Sequence, residues 1–146
     1  MKTQLFSVIA AFALMAPVAT TAQSANPSAA TVEVRFSGGV PGGPIFVQLS
    51  SEAEFMRPTR FADRVAVSAD GTAVARFTGV PAGTYAVVSF QDVNNDGRLN
   101  FGMMGEPTEP WGYSRDARGV MGPPTFKDAA IQVGPKGAII PVRLVR

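Results

Sequence analysis

From Thr31 onward the chain alternates apolar with polar residues, and Gly- and Pro-rich turns interrupt the alternation every few residues. Successive side chains of an extended strand point to opposite faces, so this period of two fits half-buried strands and does not fit amphipathic helices. Val32, Val34 and Phe36 alternate with Glu33 and Arg35; after the turn residues Gly38, Gly39, Pro41, Gly42 and Gly43, the pattern resumes with Ile45, Val47 and Leu49. Ser51 and Glu54 form a capping-box pair ahead of Phe55 and Met56, which predicts a single helical turn that stops near Pro58. Val65 and Val67 lead into Asp70-Gly71, a hairpin signal, with Val74 and Phe77 on its far side. Pro81-Ala82-Gly83 turns into Thr84 to Gln91, whose Tyr85, Val87, Val88 and Phe90 make the most continuously apolar strand and therefore the expected central one. Ala129 to Val133, the turn Gly134-Pro135-Lys136-Gly137 and a last strand with Ile140, Val142 and Leu144 inward end the series. Pro141 lacks a ladder donor and is expected at an edge or bulge. The pattern predicts an all-β fold: an antiparallel two-sheet β-sandwich of about seven strands, one domain over residues 31–146, with one long ordered loop after the central strand.

Ahead of the strands, Lys2 precedes an apolar run from Leu5 to about Val18 and the small residues Ala19, Thr20, Thr21 and Ala22. This is the pattern of a secretory signal peptide over residues 1–22, cleaved after Ala22, and it places the mature chain in the periplasm or outside the cell. An apolar core of about 14 residues is too short to span a bilayer of roughly 30 Å, and no later segment is longer, so no transmembrane segment is expected in the mature chain. Residues 23–30 are small and polar and are expected to form a disordered leader.

The chain has no Cys and no His. Their absence removes the serine triad, the cysteine nucleophile, and the usual zinc, haem and iron-sulfur sites, so any metal must be a hard ion held by oxygen. With Lys2 lost, twelve basic residues face eleven acidic ones, and this near-neutral balance gives no basic stripe for a nucleic-acid partner.

Directly after the central strand comes Asp92-Val93-Asn94-Asn95-Asp96-Gly97-Arg98-Leu99-Asn100. Oxygen side chains at Asp92, Asn94, Asp96 and Asn100 fall at positions one, three, five and nine, Gly97 at six, Arg98 at seven and an apolar residue at eight. This is the first three quarters of an EF-hand calcium loop. Position twelve departs from it, because Met103 stands where a bidentate glutamate belongs. Glu106, Glu109 or backbone carbonyls would have to complete a shell of six to eight oxygens around calcium (Ca2+), with affinity in the weak extracellular range. The competing expectation is an Asn-Asp-Gly turn that hydrogen-bonds its own backbone.

The stretch from Phe101 to Phe126 is too long for a simple connection, and its Phe101, Met103, Met104, Trp111, Tyr113, Met121 and Phe126 supply apolar surface for an ordered excursion. Trp111, Tyr113, Arg115 and Arg118, with Glu109, join aromatic faces to guanidinium forks, a combination suited to a small anionic or sugar-like ligand. Alternatively the aromatics cover one end of the sandwich while the arginines pair with Glu106, Glu109 and Asp116. A third possibility is a glycosidase that uses Glu106 and Glu109 as its carboxylate pair with Trp111 as sugar platform. The residue inventory favours a chain that is not an enzyme.

Taken in order, Val80 to Val87, Phe90-Gln91-Asp92 through Asn100, Gly105-Glu106-Pro107-Thr108-Glu109-Pro110-Trp111-Gly112-Tyr113-Ser114, Ala117-Arg118-Gly119 and Gly122-Pro123-Pro124-Thr125-Phe126 resemble the exported bacterial family named domain of unknown function 2141. The likeness runs from about Thr31 to Arg146. It implies a prealbumin-like, or transthyretin-like, β-sandwich outside the cytoplasm, and it implies no activity. The expected function is that of an exported, non-enzymatic sandwich, calcium-stabilised through the Asp92 loop; the alternative is a periplasmic or cell-surface binding module for a small anionic or sugar-like ligand, with that ligand or a cell-envelope component as its partner.

Overall fold

Residues 29–146 are described by the computed structural model; the expected signal peptide at 1–22 and residues 23–28 of the expected leader lie outside them. The period-two segments form eight strands: β1 (Ala30–Ser37), β2 (Ile45–Ser50), β3 (Ala62–Val65), β4 (Ala73–Val80), β5 (Gly83–Gln91), β6 (Trp111–Tyr113), β7 (Ile131–Val133) and β8 (Ala138–Arg143). Helical structure among the described residues is confined to the 3-10 turns Glu52–Glu54 and Ser114–Asp116 and a one-turn helix α1 (Phe126–Ala129). None of it is long and apolar enough to cross a membrane. The Ser51/Glu54 capping box forms as expected, with the Glu54 carboxylate accepting from the Ser51 hydroxyl at 2.6 Å.

The strands divide into two sheets. One has the order β4-β1-β8; the other runs β3-β2-β5, with β6 and β7 sharing the far side of β5. β7 pairs with Gly83–Tyr85 and β6 with Val88–Phe90, so Val87 falls in the gap between them. The Ser114 hydroxyl fills that gap, accepting the Val87 N–H at 2.9 Å and donating to the Ala129 carbonyl at 2.5 Å. Without it, two buried backbone groups would lack partners.

Alternation places the core where the sequence puts it. Val32, Val34, Phe36, Phe77, Ile140, Val142 and Leu144 meet Ile45, Val47, Leu49, Tyr85 and Val87, and every one of these is buried. Each fully buried side chain of this size contributes about 1.5 to 3 kcal/mol. Pro141 lies on β8, an edge strand of its sheet, opposite Arg35 of β1.

Several expectations need correction. There are eight strands rather than about seven, because Trp111–Tyr113 is a strand inside the stretch expected to be irregular. β1 begins at Ala30, which is already buried, so the fold starts one residue before Thr31. The sheets are not wholly antiparallel, since β1 and β8 run parallel. A parallel pair needs a long crossover, and here almost the whole chain lies between the two strands. Asp70-Gly71 turns the chain as expected but does not join hairpin partners: β3 pairs with β2 and β4 with β1, so the turn passes the chain from one sheet to the other. Residue types fix the reversal, whereas the faces that must be buried decide which sheet each arm joins. Finally, Phe101, Met103, Met104 and Met121 are exposed, and the ordered excursion is held instead by Trp111, Tyr113 and Phe126.

Those three rings belong to a second apolar cluster on the outer face of the five-stranded sheet. Ala86, Tyr113, Ala117 and Ala129 form its buried part, with Phe55, Val88, Trp111 and Phe126 packed around them. The segment from Ser114 to Ala130 thus covers part of that face as a lid.

Candidate functional site

Where β5 ends, Asp92 is 2% exposed and its carboxylate accepts the backbone N–H groups of Asp96 at 3.0 Å and Gly97 at 2.8 Å. This folds the loop back on its first residue. Asn94 Oδ1 also accepts the Asp96 N–H at 3.1 Å, and Asp96 Oδ1 accepts the Arg98 N–H at 2.9 Å. The side chains of Asn94, Asp96 and Asn100 then meet at one point. Asp96 Oδ2 accepts from the amides of Asn94 at 3.2 Å and Asn100 at 2.9 Å, while Asn94 Nδ2 donates to Asn100 Oδ1 at 3.2 Å. The Asn100 amide is the largest cause holding the Asp96 carboxyl below its ordinary value, with the Arg98 backbone N–H, the Asn94 amide and the Arg98 charge adding to it and burial opposing.

Of the two downstream glutamates, Glu109 reaches this loop. It is 5% exposed, and its oxygens accept the N–H of Val93 at 2.8 Å and of Asn100 at 3.1 Å, clamping the two ends of the loop together. Glu106 is exposed and accepts the Met104 N–H at 3.1 Å within a small hairpin closed by the Phe101–Pro107 bridge. Both carboxylates of the candidate glycosidase pair therefore hold backbone. Among the described residues no three acidic side chains gather as a metal cluster, so a cation in the loop would draw on asparagine and backbone oxygens as well. Arg98 enters the network through its backbone N–H.

The other side of the loop is built by Gln91, whose amide donates to the carbonyls of Val40 at 2.7 Å and Gly43 at 3.0 Å and accepts the Val40 N–H at 2.9 Å. Pro44 accepts the Asp92 N–H at 2.9 Å. At Gly43 the backbones come so close that a Cβ would collide with the Asp92 carbonyl oxygen. Sequence reading missed Gln91 and the clamping role of Glu109; the signal available for both was a polar residue flanked by core or proline positions.

The aromatic candidates are distributed differently. Tyr113 is buried, its hydroxyl faces Met56 Sδ at 3.8 Å, and burial pushes that hydroxyl's pKa up. Trp111 is half-buried and meets Tyr113 edge-on at 5.8 Å, with the Arg118 guanidinium over its ring at 4.7 Å. Arg115 is exposed and donates to the Lys127 carbonyl at 3.4 Å. Among the described residues the ion pairs are those of Glu33 with Arg35 and Arg76, so neither Arg115 nor Arg118 pairs with Glu106, Glu109 or Asp116. Trp111, Tyr113 and Arg118 stand together, whereas Glu109 belongs to the Asp92 loop.

The family described as an uncharacterized protein conserved in bacteria (DUF2141) matches residues 39–140, which take in β2 through β7 and the whole Asp92 loop. The chain belongs to this family. Comparison with curated proteins and with solved structures gives no match.

Proposed function

We propose that this member of the DUF2141 family is an exported, non-enzymatic, prealbumin-like β-sandwich of the periplasm or cell surface, and that its Asp92–Asn100 loop takes up calcium. The observation that carries the reading is the convergence of Asn94, Asp96 and Asn100 on one point, with every contact between them at 3.2 Å or less. Amide groups there can turn either oxygen or nitrogen inward, so the same three side chains can present oxygens to a hard cation. Asp96 would supply the charge, with Asn94, Asn100 and backbone carbonyls as neutral donors. Asp92 and Glu109 hold the loop in shape through its N–H groups. A bound ion would join side chains that otherwise rely on weak exposed hydrogen bonds. The low charge count fits an affinity of about 10⁻⁴ to 10⁻³ M.

Thermal unfolding in calcium and in chelator tests this. Binding to the folded state alone stabilises by about 2.7 kcal/mol at a hundred times the dissociation constant, and Asp96→Ala should remove that gain while leaving a folded protein. A melting temperature indifferent to calcium throughout the millimolar range would refute the reading.

A further inference from the structure

Across the outer face of the five-stranded sheet, Arg64 of β3 stands beside Phe46 of β2, Phe46 beside Phe90 of β5, and Phe90 beside Trp111 of β6 in register. The Phe46 and Phe90 rings are stacked, with centroids 5.0 Å apart and planes 7° from parallel. A guanidinium closes the row at each end: Arg64 lies 4.1 Å from the Phe46 centroid and Arg118 4.7 Å from that of Trp111. The lid packs against the Trp111 end of the row and supplies Arg118 there, whereas the Arg64, Phe46 and Phe90 part of the row lines an open groove of about 590 Å³ together with Gln48 and Val88.

We propose that this row is a binding surface for a linear polysaccharide bearing carboxylates. Contact with a ring face restrains each guanidinium while its N–H fork has no acidic partner among the described residues, an arrangement suited to carboxylate contact. The stacked Phe46 and Phe90 rings turn their edges outward, and aromatic edges carry positive partial charge, so the middle of the row favours negative ligands. Three strand spacings of about 4.8 Å separate β3 from β6, which puts the two forks about 15 to 20 Å apart. No single small anion spans that distance, whereas a chain with a carboxylate on successive units does. Gln48, next but one to Phe46 on the same face of β2, lines the groove, and its amide both donates to and accepts from sugar hydroxyls. An acidic peptide fits less well, because added strands run along an edge, whereas this row crosses the strands and the β3 edge is short and charged.

The test uses a galacturonate oligomer and its neutral methyl ester, titrated against Trp111 fluorescence in the presence of chelator, so that the outcome is independent of calcium at the Asp92 loop. Trp111 is the sole tryptophan of the chain. The acid form should bind saturably, more weakly as salt rises, and at least tenfold more tightly than the ester. Arg64→Gln and Arg118→Gln should each weaken binding about tenfold, the effect expected for losing a charge-assisted contact. Arg143→Gln, a substitution at an exposed residue of the other sheet, should leave binding unchanged. Equal binding of acid and ester, an equal loss from Arg143→Gln, no binding of the acid form at millimolar concentration, or tighter binding of polyglutamate than of the oligosaccharide would each overturn the proposal.

Discussion

Glu109 is the side chain whose removal should damage the candidate site most, and the structure sets the size of the effect. Its two carboxylate oxygens accept the N–H groups of Val93 and Asn100 at 2.8 and 3.1 Å, at opposite ends of the loop. Glu109→Ala leaves both donors without a partner. A partly buried donor orphaned in this way costs about 1 to 3 kcal/mol, toward the lower end where water can reach it, so the pair predicts a loss of about 2 to 4 kcal/mol. Glu109→Gln retains one acceptor and turns an amide N–H₂ toward the other donor, so it should fall between the wild type and the alanine variant. Urea denaturation gives the energies, and hydrogen exchange at the Val93 and Asn100 amides shows where they arise: both amides should lose protection while the core amides of β1 follow only the global change. A loss below about 0.5 kcal/mol from Glu109→Ala, with both amides still protected, would refute the clamp.

Two further predictions rest on side-chain hydrogen bonds. Ser114→Ala removes the hydroxyl that bridges Val87 N–H and Ala129 C=O in a fully buried position and should cost about 2 to 4 kcal/mol in urea denaturation, with β6 and the lid loosened first. Acid should destabilise the fold through Glu54, Asp70, Asp96 and Asp128, whose carboxyls are all held below their ordinary values first of all by side-chain hydrogen bonds, from Ser51, Thr72, Asn100 and Thr125 respectively. A lowered folded-state value means that the contribution is present above the ordinary carboxylate range and lost as pH falls through the folded-state values. The melting temperature should therefore decline on acidification below about pH 4, and a rise there would contradict these hydrogen bonds.

Much of the fold was legible because its inner face obeys one rule. β1 alternates strictly, and the inward Ile45, Val47 and Leu49 of β2 and Ile140 and Val142 of β8 are buried although Phe46 and Ile139 place apolar side chains outward. Pairing was less legible, since alternation says which face is buried but not which strand lies alongside; hence the parallel β1–β8 pair and the sheet change at Asp70-Gly71 escaped it. The Asp92 loop was legible in its residue types, and Asn94, Asp96 and Asn100 do meet. The clamp by Glu109 rather than Glu106 was not, because two glutamates three residues apart look alike until a hairpin turns one outward and the next segment carries the other against the loop.

β6 was invisible for a different reason: its alternation is inverted. β6 sends no apolar side chain into the space between the sheets: Trp111 and Tyr113 point to the outer face and Gly112 points in. The inward position has no room for more, since a Cβ on Gly112 would stand 2.7 Å from the Arg143 carbonyl oxygen and 3.0 Å from a Val142 methyl. That crowding arises where Trp111 and Val145 exchange backbone hydrogen bonds, at 2.8 and 2.9 Å, and draw the end of the chain beyond β8 against β6 at the seam between the sheets. Closing the seam thus requires glycine within and leaves the bulky residues outside, where Phe55, Met56 and the segment that folds back after Tyr113 shield them. The same constraint stops the lid short of Phe46 and Phe90, because Ser114 is anchored to Val87 and Ala129, toward the opposite end of β5. The part of the outer face left open carries the Arg64, Phe46 and Phe90 end of the row, and the lid supplies Arg118 at its other end, so seam, lid and candidate binding surface follow from one inverted strand.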